Sequence, residues 1–190
     1  MKKLSAAILI ILIFSSSCAQ RHYITIDPHV PVTSKNIGHS KPVGLTVTDA
    51  RSGNSIAQWK GRFYVRKFSV SPASDLTDSM REKVSEGLFR MGFHPRRIER
   101  ETTRTLHVDI LRLKGAYKEK LPALSVRIQA ALRARCSNRD NRYSATYSDK
   151  KYLKSVPAST FPNENLINDT LAEALGKMFN DKKLLSCLMR

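Results

Sequence analysis

The stretch from Leu124 to Cys136 constrains the fold of this chain more than any other. Leu124, Val126, Ile128, Ala130, Leu132, Ala134 and Cys136 stand at every second position, with Ser125, Arg127, Gln129, Ala131, Arg133 and Arg135 between them. A period of two separates these sets onto opposite faces of a β-strand, so one face is buried and the other is wet and basic. Ser137-Asn138-Arg139-Asp140-Asn141 reads as a hairpin loop, and Tyr143, Ala145 and Tyr147 continue on the return strand. Before it, Leu106, Val108 and Ile110 alternate, and Leu111 and Leu113 switch phase, which predicts a bulge.

Two helices complete the core. Leu76, Met80, Val84, Leu88 and Met91 recur at spacings of three and four, which puts them on one helix face. Ser71-Pro72 is expected to open this helix, Ser as cap and Pro as first helical residue. Asp75 and Asp78 suit its positive end, Gly92 its left-handed stop, and Pro95 bars its resumption. Ile167, Leu171, Ala174, Leu175, Met178 and Phe179 form the apolar face of a second helix that starts near Thr160 or Asn163. Asn180-Asp181 interrupts it, and Leu184, Leu185 and Leu188 add an apolar turn. Val43, Leu45 and Val47 mark an earlier strand, followed by a turn over Asp49 to Asn54. Trp59 and the run Phe63 to Val70, broken by Gly61, predict further strand with a bulge or bend. Strands joined by short loops pair antiparallel. The expected fold is therefore α+β, a two-layer sandwich of a mostly antiparallel sheet with two amphipathic helices on one face.

The N-terminus is of another kind. Lys2 and Lys3, an apolar run from Leu4 to Phe14, and Ser15-Ser16-Ser17 make the three parts of a secretory signal. The run is well short of the about 20 apolar residues of a spanning helix, so residues 1–17 are expected to be removed. Small residues directly before Cys18 are similar to a bacterial lipobox, in which the cysteine is lipidated, although Ser15 stands where Leu is usual. Ser17-Cys18-Ala19 also fits cleavage after Ala19, which would leave a soluble periplasmic protein. Both routes stay open on these residues. Ala19 in place of Asp is similar to lipoproteins of the outer membrane. Residues 18–42 read as a tether with a short strand at Tyr23-Ile24-Thr25-Ile26, because Pro28, Pro31 and Pro42 favour extended backbone. Fully extended, it would reach roughly 80 Å and hold the domain, residues 43–190, clear of a membrane.

Charge bears on partners. The chain has 33 Lys and Arg against 16 Asp and Glu, a net charge of +17, and the signal takes away only Lys2 and Lys3. In a cytosolic chain this would point to nucleic acid. For an exported chain the anionic partners are lipid head groups, lipopolysaccharide phosphates and acidic proteins, and the bland alternative is a solvated basic surface.

Several of these stretches together resemble the YajG family of bacterial lipoproteins. They are Ser71-Pro72-Ala73-Ser74-Asp75-Leu76 with the helix to Gly92-Phe93, Val43-Gly44-Leu45-Thr46-Val47, Tyr143-Ser144-Ala145-Thr146-Tyr147 and the Asn-rich entry to the last helix. The resemblance implies a lipid-anchored envelope protein with its palmitate-bearing cysteine at Cys18. It implies no reaction, and its pattern does not include Cys136 and Cys187.

A search for chemistry finds little. His22, His29, His39, His94 and His107 have no helical pairing and no cysteine at ligand spacing, so no metal or cofactor is expected. No Gly-rich phosphate loop and no nucleophile elbow occur. Two functions remain. One is a non-catalytic envelope lipoprotein, on the periplasmic face of the outer membrane, that uses Arg127, Arg133, Arg135 and Arg142 against an anionic lipid, lipopolysaccharide or protein. The other is a soluble periplasmic hydrolase with a loop-built site. Cys136 ends the buried phase of its strand and Cys187 lies in the last apolar turn. They are either a disulfide formed in an oxidising compartment or two small buried hydrophobes.

Overall fold

A computed structural model describes residues 20–60, 67–99, 102–120, 123–139, 141–157 and 161–190. The signal segment and Cys18 lie outside these residues, as do residues 63–66 of the run from Phe63 to Val70. Among the described residues, eight strands form one sheet. They are β1 (Gln20–Ile24), β2 (Pro42–Asp49), β3 (Ala57–Lys60), β4 (Lys67–Pro72), β5 (His94–Arg96), β6 (Arg104–Lys120), β7 (Ala123–Asn138) and β8 (Asn141–Pro157). Helix α1 (Leu76–Arg90) stands between β4 and β5, and α2 (Glu164–Phe179) and α3 (Lys182–Met189) follow β8.

The three middle strands are antiparallel, as their short connections require: β6 pairs with β7 and β7 with β8. Their phases hold as well. Leu106, Val108 and Ile110 are buried, the register shifts between Ile110 and Arg112, and burial resumes at Leu113. The shift returns β6 to the core face, so one apolar surface runs the length of the strand. The hairpin is tighter than expected. The ladder closes at Asn138 opposite Asn141, so Ser137 and Asn138 belong to β7.

The rest of the sheet departs from the expected mostly antiparallel two-layer form. Four of its seven pairings are parallel: β1 with β4, β2 with β5, β2 with β6, and β3 with β6. Along the edge of β6 opposite β7, β2 occupies Thr105 to Ile110 and β3 takes over at Gly115. Alternation reports which face is apolar and is silent on partner and direction. Parallel neighbours need a long crossover, and α1 lies in the one between β2 and its partners β5 and β6. Helix α1 packs on β2 and β5, and α2 and α3 pack on β7 and β8.

Helix α1 starts later than expected. Ser71 and Pro72 end β4, and Asp75 is the cap, its side chain accepting from the backbone N of Asp78 at 2.9 Å. Gly92 takes φ +83° after the last turn, as the sequence predicted. Asp181 caps α3 through hydrogen bonds from Lys183 N and Leu184 N.

The tether is the larger correction. Residues 20–24 are a sheet strand, and Ile24, Ile26, Pro28 and Val30 alternate as buried residues with exposed ones between them. The segment runs in contact with α1 and α2. Asn168 Oδ1 accepts from Asp27 N at 3.0 Å, Asn168 Nδ2 donates to Thr25 O at 3.0 Å, and Arg90 Nη1 donates to Val30 O at 3.2 Å. Its prolines suit an extended path whose backbone is bonded by side chains and not by a ladder. Gly176 makes room for it, since a β-carbon there would stand 2.7 Å from Pro31 Cγ. The folded unit therefore begins by Gln20, not at residue 43.

Candidate functional site

The outward phase of β7 meets the outward phases of its neighbours in rows. Register aligns Gly44, Thr105, Ser137 and Arg142 in one row, Thr46, His107, Arg135 and Ser144 in the next, and Thr48, Asp109, Arg133 and Thr146 in the third. The helices pack against the opposite, apolar face, where Leu106, Val108, Leu132 and Ala134 are buried. The outward face is thus short hydroxyl side chains overlaid by arginines.

A cleft of about 490 Å³ opens among Thr105, His107, Arg135, Ser137, Arg142 and Ser144. Two of the four arginines singled out in the sequence, Arg135 and Arg142, meet here across the β7–β8 hairpin. Among the described residues, no carboxylate lines the cleft. Guanidinium groups beside hydroxyl donors are suited to phosphate and carboxylate oxygens.

Arg133 and Arg135 have a second task. Asp109, expected on the wet face, points outward but its side chain is only 5% exposed. Thr48 Oγ1 donates to its Oδ1 at 2.6 Å, Arg133 Nε donates to Oδ2 at 2.9 Å, and Arg135 Nη2 donates to Oδ1 at 3.0 Å. Burial alone would raise the Asp109 pKa, but the Thr48 and Arg133 hydrogen bonds and both arginine charges outweigh it and hold the carboxyl below the usual range. Much of the charge of Arg133 is therefore spent within the protein. Arg127 belongs elsewhere. Its guanidinium carbon lies 5.6 Å from the Tyr152 ring centre, and the eight residues separating it from Arg135 along β7 amount to roughly 26 Å. The four arginines do not form one patch.

Thr105, His107, Ser137 and Ser144 were not singled out as site residues. Alternation signalled their outward phase, but only the register places them beside Arg135 and Arg142.

Asp49, Asp109 and Asp181 are all held below the usual carboxylate range, because bonds from arginine, threonine, tyrosine or backbone donors outweigh the upward effect of burial. A general acid needs the opposite shift. Asp181 Oδ2 accepts from Tyr143 at 2.7 Å and Tyr147 at 2.6 Å. Among the described residues, no three His, Cys, Asp or Glu side chains gather as a metal site. Cys136 and Cys187 are joined by a disulfide, with Cα atoms 6.4 Å apart, which ties α3 to β7 at the end of the sheet that bears the cleft. Among the described residues no helix is long and apolar enough to cross a membrane.

A family model described as an uncharacterized lipoprotein matches residues 28–189. No curated protein sequence matches the chain. Among solved structures, a Xanthomonas campestris protein superposes with a TM-score of 0.56 at 13% identity, covering 88% of this chain and 97% of its own, a likeness of fold. A minor lipoprotein from Acinetobacter baumannii has a TM-score of 0.44 at 9% identity, covering 76% of this chain and 93% of its own.

Proposed function

This chain belongs to that family of uncharacterized lipoproteins, and from that premise we propose that it is a non-catalytic binding module of the outer membrane. Its signal, residues 1–17, is removed, Cys18 receives the lipid, and the domain faces the periplasm. Ala19 after the cysteine and the resemblance to the YajG family support this placement. The partner is anionic, a lipid, a lipopolysaccharide or an acidic protein, and it is held on the outward face of β6, β7 and β8. The observation that carries this reading is the cleft that brings Arg135 and Arg142 together beside His107, with no carboxylate among the described residues of its lining.

Two measurements test it. Changing Cys18→Ser should abolish lipid labelling and either release the protein to the soluble fraction or leave it unprocessed. A wild-type protein that is soluble with Ala19 removed would overturn the anchor. Binding to lipopolysaccharide or anionic vesicles should saturate, weaken with salt and fall in Arg142→Glu. No binding to these or to any acidic envelope protein at low salt would leave the arginines as solvated surface and end the proposal.

A further inference from the structure

We infer that the end of the sheet at which β1 starts is a second interaction surface, a face that lies on an anionic lipid bilayer. The inference rests on the lipidation of Cys18 and on nothing else in the proposed function. Its starting point is the position of β1. Only Ala19 separates Cys18 from Gln20, and two residues of chain span at most about 7 Å. A lipid on Cys18 therefore leaves no tether, and whatever surrounds Gln20 is brought to the head groups.

Register shows what surrounds it. Gln20 pairs with Phe68 and Phe68 with Trp59. Ala57 opposite Gly115 puts Trp59 level with Tyr117, which pairs with Val126, and Val126 pairs with Leu153. This end of the sheet is aromatic. Trp59 stacks on Phe68 with ring centres 5.0 Å apart, and Phe161 sets its edge to Tyr117 at 4.9 Å and to His22 at 4.8 Å. Among the described residues these rings are half-buried. Tyr152 and Leu153 are 44% and 41% exposed on β8 at the same end, and Tyr23 on β1 is 61% exposed. Arg21, Lys118 and Lys154 are exposed cations around them.

Half-exposed aromatic rings with a cationic rim match the boundary between head groups and acyl chains, where tryptophan and tyrosine concentrate. Cations at that depth gain from anionic lipid. The orientation has a consequence for the other site. Arg135 and Arg142 lie at the far end of β7 and β8, roughly 26 Å from Arg127 along the strand, so the cleft points into the periplasm and is free for a partner that does not belong to the same leaflet.

Trp59 is the only tryptophan in the chain, which makes the test direct. The lipidated full-length protein is reconstituted into vesicles of phosphatidylethanolamine and phosphatidylglycerol, with or without bromine high on the acyl chains. Flotation and the mass of the N-terminal peptide report the anchor, and Trp59 fluorescence reports the docking. The expected result is that bromination removes about half of the emission. Lys118→Glu with Lys154→Glu, and separately Leu153→Asp, should reverse most of that loss while the protein still floats. Full emission from protein that floats overturns the docking and leaves the anchor standing. Quenching unchanged in both variants also overturns it. Protein that carries no lipid and does not float overturns the anchor and this inference with it.

Discussion

The Tyr147 hydroxyl donates to Oδ2 of Asp181 at 2.6 Å, so a residue of β8 holds the carboxylate whose other oxygen caps α3. One side chain thereby fixes the last helix to the sheet. Asp181→Ala should cost about 2–3 kcal/mol, a lost cap plus two tyrosine hydroxyls without their acceptor. Thermal melting checks this, and a change under about 0.5 kcal/mol would mean that water replaces the carboxylate at no cost.

The same pair sets a pH dependence at both ends. Asp181 is held below its ordinary value, so it stabilises the fold above the unfolded carboxylate pKa of about 3.9, and that stability is lost as pH falls through the folded value. Tyr147 is pushed up, by burial first and then by Asp181. Its contribution is complete below the unfolded tyrosine pKa of about 10 and is lost as pH rises beyond it. Tyr147→Phe should flatten the alkaline limb of a stability profile measured by denaturant unfolding and also weaken the acid limb, because the Tyr147 hydroxyl is one of the donors that hold Asp181 low.

Gly87 of α1 sets two opposing effects against each other. Alanine favours a helix by about 1 kcal/mol over glycine. A β-carbon there would stand 2.4 Å from Phe179 Cζ and 2.9 Å from Val30 Cγ1, both residues being 1% exposed. Overpacking of a closed core costs about 1–3 kcal/mol, so Gly87→Ala should lower stability overall. A raised melting temperature would show that Phe179 and the Val30 segment yield readily.

The arginines of the outward face should separate by role. Arg142→Glu should leave stability within about 0.5 kcal/mol and weaken anionic binding. On an open, solvated strand face Arg133→Glu with Arg135→Glu would be equally harmless. The structure reverses that, because both arginines compensate the enclosed Asp109 carboxylate. The double change should cost about 2–3 kcal/mol, less than a fully buried pair because the arginines are half exposed. Adding Asp109→Asn to the double variant should recover part of the loss, as measured by urea unfolding.

The Cys136–Cys187 bond closes a loop with a sequence separation of 51. Chain entropy then gives about 4 kcal/mol of stabilisation. Reduction, or Cys187→Ser, should lower the melting temperature and loosen α3 first, which hydrogen exchange of Leu184 to Leu188 would show. Equal melting with and without reductant would mean that the helix is held by apolar packing alone.

What the sequence determined by itself was every feature set by short-range periodicity. The two faces of β7, the phase change near Leu111, the apolar stripe from Leu76 to Met91 and its stop at Gly92 follow from spacing and backbone chemistry that a few neighbouring residues decide. The tertiary structure alone decided which strand lies beside which. It set β2 parallel to β6 and Arg142 beside Arg135, and it placed Asp109 beneath Arg133. It also took residues 24–31 out of the tether and laid them against α1 and α2. The reason is the same in each case. An alternating pattern states that one face must be covered, but the covering group can come from anywhere in the chain. Residues such as Pro28, Pro31, Asn168 and Gly176 show their purpose only when they meet.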